Sequence, residues 1–306
     1  MISIIIPIYN CEKNISTMLD CVHNQTYKDY EVIMIDDGST DKTPDICDSY
    51  AYRYNNFKVI HQENQGVSAA RNNGMKVALG EFITFLDADD EIPNDFLLEL
   101  IKAQELTNAD LIITDVVVVA GNKEVRRFTY ENKTINQTES LNLLFTRKYM
   151  NSGPCAKLFR KEALQSVSFP QLKTYEDILF VKDAIINTKI ISVTNATEYR
   201  YIQRENSAMH NNFAVPSLDI VIATTELADF IKKHKELDDE CLYTTLSHLY
   251  QYVILIKGNK NKEAIIFKKR AKRVFRKNLL EIIKCSAFPW KEKVLFSFVA
   301  FSLLYN

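Results

Sequence analysis

Three carboxylates, Asp87, Asp89 and Asp90, close the apolar run Phe82-Ile83-Thr84-Phe85-Leu86. Only Ala88 separates Asp87 from Asp89, so one or both can ligate a hard divalent cation and leave coordination positions open for phosphate oxygens. A second acidic pair, Asp36-Asp37, closes the run Val32-Ile33-Met34-Ile35 and leads into Gly38-Ser39-Thr40-Asp41. The first apolar run, Ile4-Ile5-Ile6, ends in Pro7-Ile8-Tyr9-Asn10 and so delivers an aromatic ring to a comparable position. Each feature also has a plain structural reading. Acidic pairs shape turns and cap helices, Tyr9 reads equally as a core aromatic, and Arg71 as a surface arginine.

Chemistry at these residues requires that they share one place, and the elements around them provide it. Residues 2–6, 30–35 and 82–86 are β-branched and aromatic runs bounded by turn residues, the pattern of buried strands. Helical patterns follow at residues 15–22 and 44–54, with Pro44 suited to a first helical turn, and further helices are predicted from near Gly66 and near Asn94. Strand-helix alternation implies right-handed parallel crossovers, which bring successive strand ends to one edge of a sheet. That edge is where open α/β sheets bind ligands.

The stretches Ser3-Ile4-Ile5-Ile6-Pro7-Ile8-Tyr9-Asn10, Gln25-Thr26-Tyr27, Asp36-Asp37-Gly38-Ser39-Thr40-Asp41, Asn64-Gln65-Gly66-Val67-Ser68-Ala69-Ala70-Arg71-Asn72 and Phe85-Leu86-Asp87-Ala88-Asp89-Asp90 resemble, in order and spacing, the successive signatures of the family 2 glycosyltransferases. Weaker matches continue to about residue 210. The resemblance, of the bacterial polysaccharide type, implies inverting transfer on a GT-A fold: an α/β domain with a mostly parallel sheet flanked by helices, here with a helical C-terminal extension. It further implies a UDP-sugar donor and a metal, Mn2+ or Mg2+. Pro7, Tyr9 and Asp37 map onto the uridine site, Asp36 onto loop support, and Asp87 and Asp89 onto the metal and diphosphate. Arg71 approaches the diphosphate or pins an aspartate of the cluster, while Gly66 and Gly74 serve backbone turning and close packing.

Carboxylates committed to a metal are poor proton acceptors, so the general base comes from elsewhere. Tyr175-Glu176-Asp177, opening an amphipathic helix, resembles the family's Glu-Asp signature, whose second residue deprotonates the acceptor hydroxyl. The competing reading is helix N-terminal charge complementarity, worth about 0.3–1 kcal/mol. Lys157-Leu158-Phe159-Arg160 resembles a strand between the donor and acceptor halves; Gly153 and Pro154 before it suggest a bent loop over the donor, and the role of Lys157 stays open. After the strand at Tyr199-Arg200-Tyr201, the resemblance puts Arg204 and Ser207 near the diphosphate and His210 in the cation's shell, which would favour manganese.

The 306 residues, 46% of them hydrophobic, suffice for one large domain and an appendage, and a formal net charge of −1 excludes nucleic acid as a bulk electrostatic partner. The expected division is a catalytic domain over residues 1–215, with a nucleotide-binding half to about 110 and an acceptor-side half to 215, then an extension over 216–306. Loops around 115–155 and 205–215 are expected to select the acceptor, a glycan or lipid-linked glycan. The basic cluster from Lys268 to Lys277 precedes an aromatic-rich apolar stretch from Pro289 to Tyr305, too short and too charged to span a bilayer. It suits an anionic membrane surface, a packed subdomain or a contact within an oligomer. Six dispersed cysteines read as reduced thiols, and no signal peptide is evident, which together suit a cytoplasmic enzyme at the inner face of the membrane. Two other functions remain: a catalytically silent sugar-nucleotide-binding subunit of a polysaccharide assembly complex, and a sugar-nucleotide pyrophosphorylase, whose glycine-rich N-terminal loop is missing here.

Overall fold

Strand β1 (Ile2–Ile8) buries every isoleucine it carries, and β2 (Tyr30–Asp36) is buried along its whole length. Continuous apolar runs of this kind need cover on both faces, and helices supply it. The computed structural model describes residues 1–121, 123–148, 150–203 and 215–301. Between β1 and β2 lies α1 (Ile15–His23); then follow α2 (Thr43–Arg53), β3 (Phe57–His61), α3 (Val67–Val77), β4 (Phe82–Phe85) and α4 (Phe96–Thr107). Strands β1 to β4 pair in parallel, in the order β3-β2-β1-β4, so their C-terminal ends form one edge.

The second half is mixed. Strand β5 (Leu111–Ala120) leads to β6 (Lys123–Phe128), β7 (Lys133–Ile135), α5 (Gln137–Thr146), β8 (Lys157–Arg160), α6 (Glu176–Ile186) and β9 (Ile191–Gln203). Antiparallel β8 links β4 to β5, β9 runs parallel to β5, and β6 and β7 pair antiparallel with β5 and β9. Much of the stretch at 115–155 expected as loops is therefore strand and helix, because the run Val116-Val117-Val118-Val119 continues β5 into register with β9.

Helix α3 lies unusually close to β1. A Cβ added at Gly74 would stand 2.4 Å from Ile5 Cγ2, so only glycine permits this approach. The contact fixes the helix that carries Arg71.

The boundary expected near 215 falls between β9 and α7 (Asp219–Lys233), which opens the extension. Helices α8 (Asp239–Leu255), α9 (Lys262–Lys277), α10 (Leu279–Lys284) and α11 (Trp290–Phe301) complete it. Phe267, Phe275 and Phe296 are wholly buried, and the Phe296 ring packs 5.2 Å from that of Phe275 and 4.9 Å from that of Tyr250. The aromatic tail is thus a packed helical layer, although Trp290 and Phe301 remain 71% and 56% exposed. Among the described residues no helix is long and apolar enough to cross a membrane. No two of the cysteines form a disulfide.

Candidate active site

The β1 and β2 ends are stitched together by short bonds. Asp37 N–H donates to Ile8 carbonyl oxygen at 2.8 Å, Asn10 N–H to Ser39 Oγ at 2.9 Å, and Thr40 N–H to Asn10 Oδ1 at 2.8 Å. Tyr9 is 50% exposed, which removes the core-aromatic reading and leaves its ring available at the crevice beside partly buried Pro7. Asp36 is a loop support, accepting from Ser39 N–H at 3.0 Å and pairing with His61 Nδ1 at 2.8 Å. Asp37 has a job the sequence did not reveal. Its Oδ1 accepts from Gln62 Nε2 at 2.7 Å and Gln65 N–H at 2.9 Å, and its Oδ2 from Gly66 N–H at 2.8 Å, so it holds the turn that starts α3.

The β4 end makes the electrostatic centre. Arg71, 5% exposed, donates from Nη2 to Asp87 Oδ1 at 2.9 Å and from Nη1 to Glu176 Oε1 at 3.2 Å. Burial works against its charge, yet the Asp87 and Glu176 carboxylates hold its pKa above the usual value. Of the two roles left for Arg71, the geometry displays the aspartate pin. Asn72, next in the helix, exchanges two 2.8 Å bonds with the Phe169 backbone, and the Arg71 guanidinium lies 5.2 Å from the Phe169 ring centroid. Helix α3 therefore grips the segment that leads into α6. Burial and the neighbouring Asp177 charge push Glu176 up to about 7 against the lowering pull of Arg71, whose Nη1 donates to it as the pin's second anchor.

Asp90 faces inward, unlike Asp87 and Asp89. It accepts from Tyr199 O–H at 2.6 Å and Ile202 N–H at 2.8 Å, and burial with the Asp87 charge pushes it up to about 8. Tyr199 also accepts the Asp87 N–H at 3.1 Å, locking β9 against the acidic turn. The adjacent position of Tyr199 in the alternating strand was the only sequence signal of this role.

Asp177 is half-buried at the start of α6, where burial raises its carboxyl pKa against the lowering influence of the Ile178 N–H, Arg71, Arg147 and Lys157. A Cβ at Gly153 would come 3.8 Å from its Oδ2, so the bent loop lies over the carboxylate. Lys157 explains how that loop is held. It is fully buried and donates from Nζ to the carbonyl oxygens of Asn151 at 3.0 Å and Gly153 at 2.6 Å. Burial brings its pKa down to about 8.

Among the described residues no three His, Cys, Asp or Glu side chains form a ready ligand cluster. The partly exposed carboxylates of Asp87 and Asp89 at the strand end are hard oxygen donors that fit a divalent cation whose shell is completed by diphosphate. Arg204, Ser207 and His210 lie outside the described residues.

The profile described as glycosyl transferase family 2 matches residues 3–168. EpsH of Bacillus subtilis, named as a glycosyltransferase, is 33% identical over 65% of this chain and 60% of its own length. The poly(ribitol-phosphate) beta-glucosyltransferase of Bacillus spizizenii is 33% identical over 76% of this chain and 37% of its own length. The chain thus spans less than two thirds of either relative. The crystal structure of S. aureus TarS 1-349 in complex with UDP-GlcNAc superposes with a TM-score of 0.79 at 24% identity, covering 98% of this chain and 87% of that one.

Proposed function

The chain belongs to glycosyl transferase family 2, whose profile covers residues 3–168, and from that premise we propose that it moves a sugar from a UDP-sugar to an acceptor hydroxyl by a single inverting displacement. The observation that carries this reading is the ion-pair chain Asp87–Arg71–Glu176, which joins the acidic strand end to the helix that presents Asp177. UDP and UDP-GlcNAc bound to TarS support the donor class.

Pro7, Tyr9 and Asp37 take the uridine, with the exposed Tyr9 ring against the base. Arg204 and Ser207, outside the described residues, are assigned to the diphosphate by the family resemblance alone. Asp177 accepts the proton of the acceptor hydroxyl as that oxygen attacks the anomeric carbon, and the bond to the diphosphate breaks on the opposite face. Inversion follows. A raised carboxyl pKa strengthens Asp177 as a base, because proton transfer is best served near the working pH. Asp87 and Asp89 would hold Mn2+ or Mg2+, with His210 added by the family resemblance alone, and the bound cation would neutralise charge on the departing diphosphate.

The acceptor class is a cell-surface glycan or its lipid-linked precursor, a reading supported by the poly(ribitol-phosphate) beta-glucosyltransferase among the relatives. Such an acceptor is met at the cytoplasmic face of the membrane. Exposed Lys269, Arg270, Arg273 and Arg276 on α9, with exposed Trp290, Phe298 and Phe301 on α11, support contact with an anionic bilayer there.

Incubation with labelled UDP-glucose, UDP-galactose and their N-acetyl forms, in Mn2+, Mg2+ or EDTA, tests the reading. Cation-dependent release of UDP from at least one donor is expected. Binding of UDP without release from any donor would establish a silent binding subunit instead.

A further inference from the structure

The residue immediately before the Glu176-Asp177 pair is held by the C-terminal extension. Tyr175 adopts a left-handed conformation, φ 68°, and caps α6 with no side-chain hydrogen bond to the helix. Left-handed backbone is uncommon for a residue as bulky as tyrosine and persists only where surroundings impose it. Those surroundings come from α8. The Tyr175 hydroxyl bonds to His248 Nε2 and lies 3.2 Å from the Tyr252 hydroxyl. The His248 ring packs 5.5 Å from that of Tyr175 and edge-on to that of Tyr252 at 5.3 Å. The Arg147 guanidinium, just past α5, closes the far side 5.3 Å from the Tyr175 ring centroid.

The protonation states agree with one directed network. Burial, with the Arg147 charge, brings His248 down to about 4, so near neutrality it is uncharged and its Nε2 accepts. Burial drives the Tyr175 hydroxyl well above its usual value, so it keeps its proton and donates. The Tyr252 hydroxyl, 3.2 Å away, is the second partner of the Tyr175 hydroxyl. The start of α8 is itself tied to α5 and the turn after it: Glu240 pairs with Lys148, and the N-cap Asp238 N–H donates to Asn142 Oδ1 at 3.0 Å.

We propose that His248 and Tyr252 are positioning residues for the base: through Tyr175 they hold the left-handed turn that sets where the Asp177 carboxylate stands. The extension is then a working part of the catalytic site. This rests on Asp177 as the base; around the turn stand the Lys157-held loop above Asp177, α8 and Arg147 about Tyr175, and Arg71 on Glu176.

The test uses the full chain carrying H248A, H248Q, Y175F, the double variant Y175F/H248A, and D177N, with steady-state UDP release and titration with UDP and Mn2+ as readouts. For H248A and Y175F, kcat should fall about 10- to 100-fold, the scale expected of a displaced catalytic group, while the donor KM and UDP affinity stay within about twofold. The double variant should be no worse than the worse of the single ones, since each single change already breaks the Tyr175–His248 bond. Glutamine can accept from the Tyr175 hydroxyl, so H248Q should recover much of the turnover. Turnover within about twofold of the parent in Y175F, which deletes a single oxygen and decides the matter if H248A does not fold, overturns the proposal, as do multiplicative losses in the double variant. If D177N is inactive while H248A and Y175F are active, only the positioning inference fails; if D177N remains active, the base assignment itself fails.

Discussion

At the scale of single residues, the two acidic groups to which the proposed reaction gives separate duties are Asp177 and Asp89. Asp177→Asn keeps shape and removes proton-accepting power, so UDP and Mn2+ should bind nearly normally while transfer falls by at least about 100-fold, the lower range for a lost general base. Calorimetric titration beside a turnover assay separates these quantities, and surviving transfer would reduce Asp177 to a helix cap. Asp89→Asn should instead weaken cation-dependent UDP binding and turnover together, because an amide is a poorer ligand for a hard cation. An unchanged manganese dependence in that variant would remove Asp89 from the metal site. Arg71 joins a neighbour of each, Asp87 and Glu176. Its partners Asp87 and Glu176 would be left as buried or half-buried charges by truncation, so the pin serves stability and alignment at once.

At the scale of elements, α3 is placed by its contact with β1 and in turn places Arg71 and Asn72. Gly74→Ala puts a methyl 2.4 Å from Ile5 Cγ2, so the helix or the buried Ile5 side chain must shift. Overpacking of this kind should cost about 1–3 kcal/mol, read as a lower midpoint in urea, with turnover falling because Arg71 rides on the same helix. Helix α8 carries a pH signature. The folded pKa of His248 is depressed from 6.5 to about 4, so its stabilising contribution is complete above 6.5 and is lost as the pH falls towards 4. Over that window wild type should lose up to about 1.4 kcal/mol per pH unit from this group, and H248Q should not. Denaturant titrations of both chains at pH 7, 6 and 5 measure the difference, and parallel curves would show that His248 charges freely in the fold.

For the whole molecule, the extension faces two ways. Its inner side is a packed layer built on Phe267, Phe275 and Phe296, so cutting the chain within α9 would unroof α7 and α8 and destabilise the protein. The outer side presents Trp290, Phe298 and Phe301, and a surface cavity of about 330 Å³ lies between α10 and α11 against Ile283, Val294 and Phe298. Replacing Trp290, Phe298 and Phe301 together with serine should therefore abolish salt-sensitive co-sedimentation with anionic vesicles and leave the melting temperature within a few degrees. Each contacting basic residue contributes about 1 kcal/mol, so binding should also fall steeply with salt. Equal sedimentation of both proteins, or none by either, would remove the membrane from the proposal; concentration-dependent self-association lost in the variant would make the face a contact between copies.

The alternation of strands and helices before residue 110, the acidic strand ends and the Glu176-Asp177 pair were legible in the sequence alone, because hydrophobic periodicity and contiguous motifs are local properties of a chain. The same locality hid the rest. Arg71 meets Glu176 across 105 positions, Tyr175 meets His248 across 73, and Asp37 reaches Gly66 across 29, and no spacing rule announces such pairs. Lys157 was legible as a motif residue but not as a clamp, since its partners are backbone carbonyls, which every residue possesses. The tail read equally as a membrane anchor or a packed layer, for an amphipathic helix buries its apolar stripe against whatever neighbour the fold supplies. Composition and pattern determined which residues could do chemistry here; only the tertiary structure decided which of them hold one another in place, because buried charges must find partners and those partners lie far away along the chain.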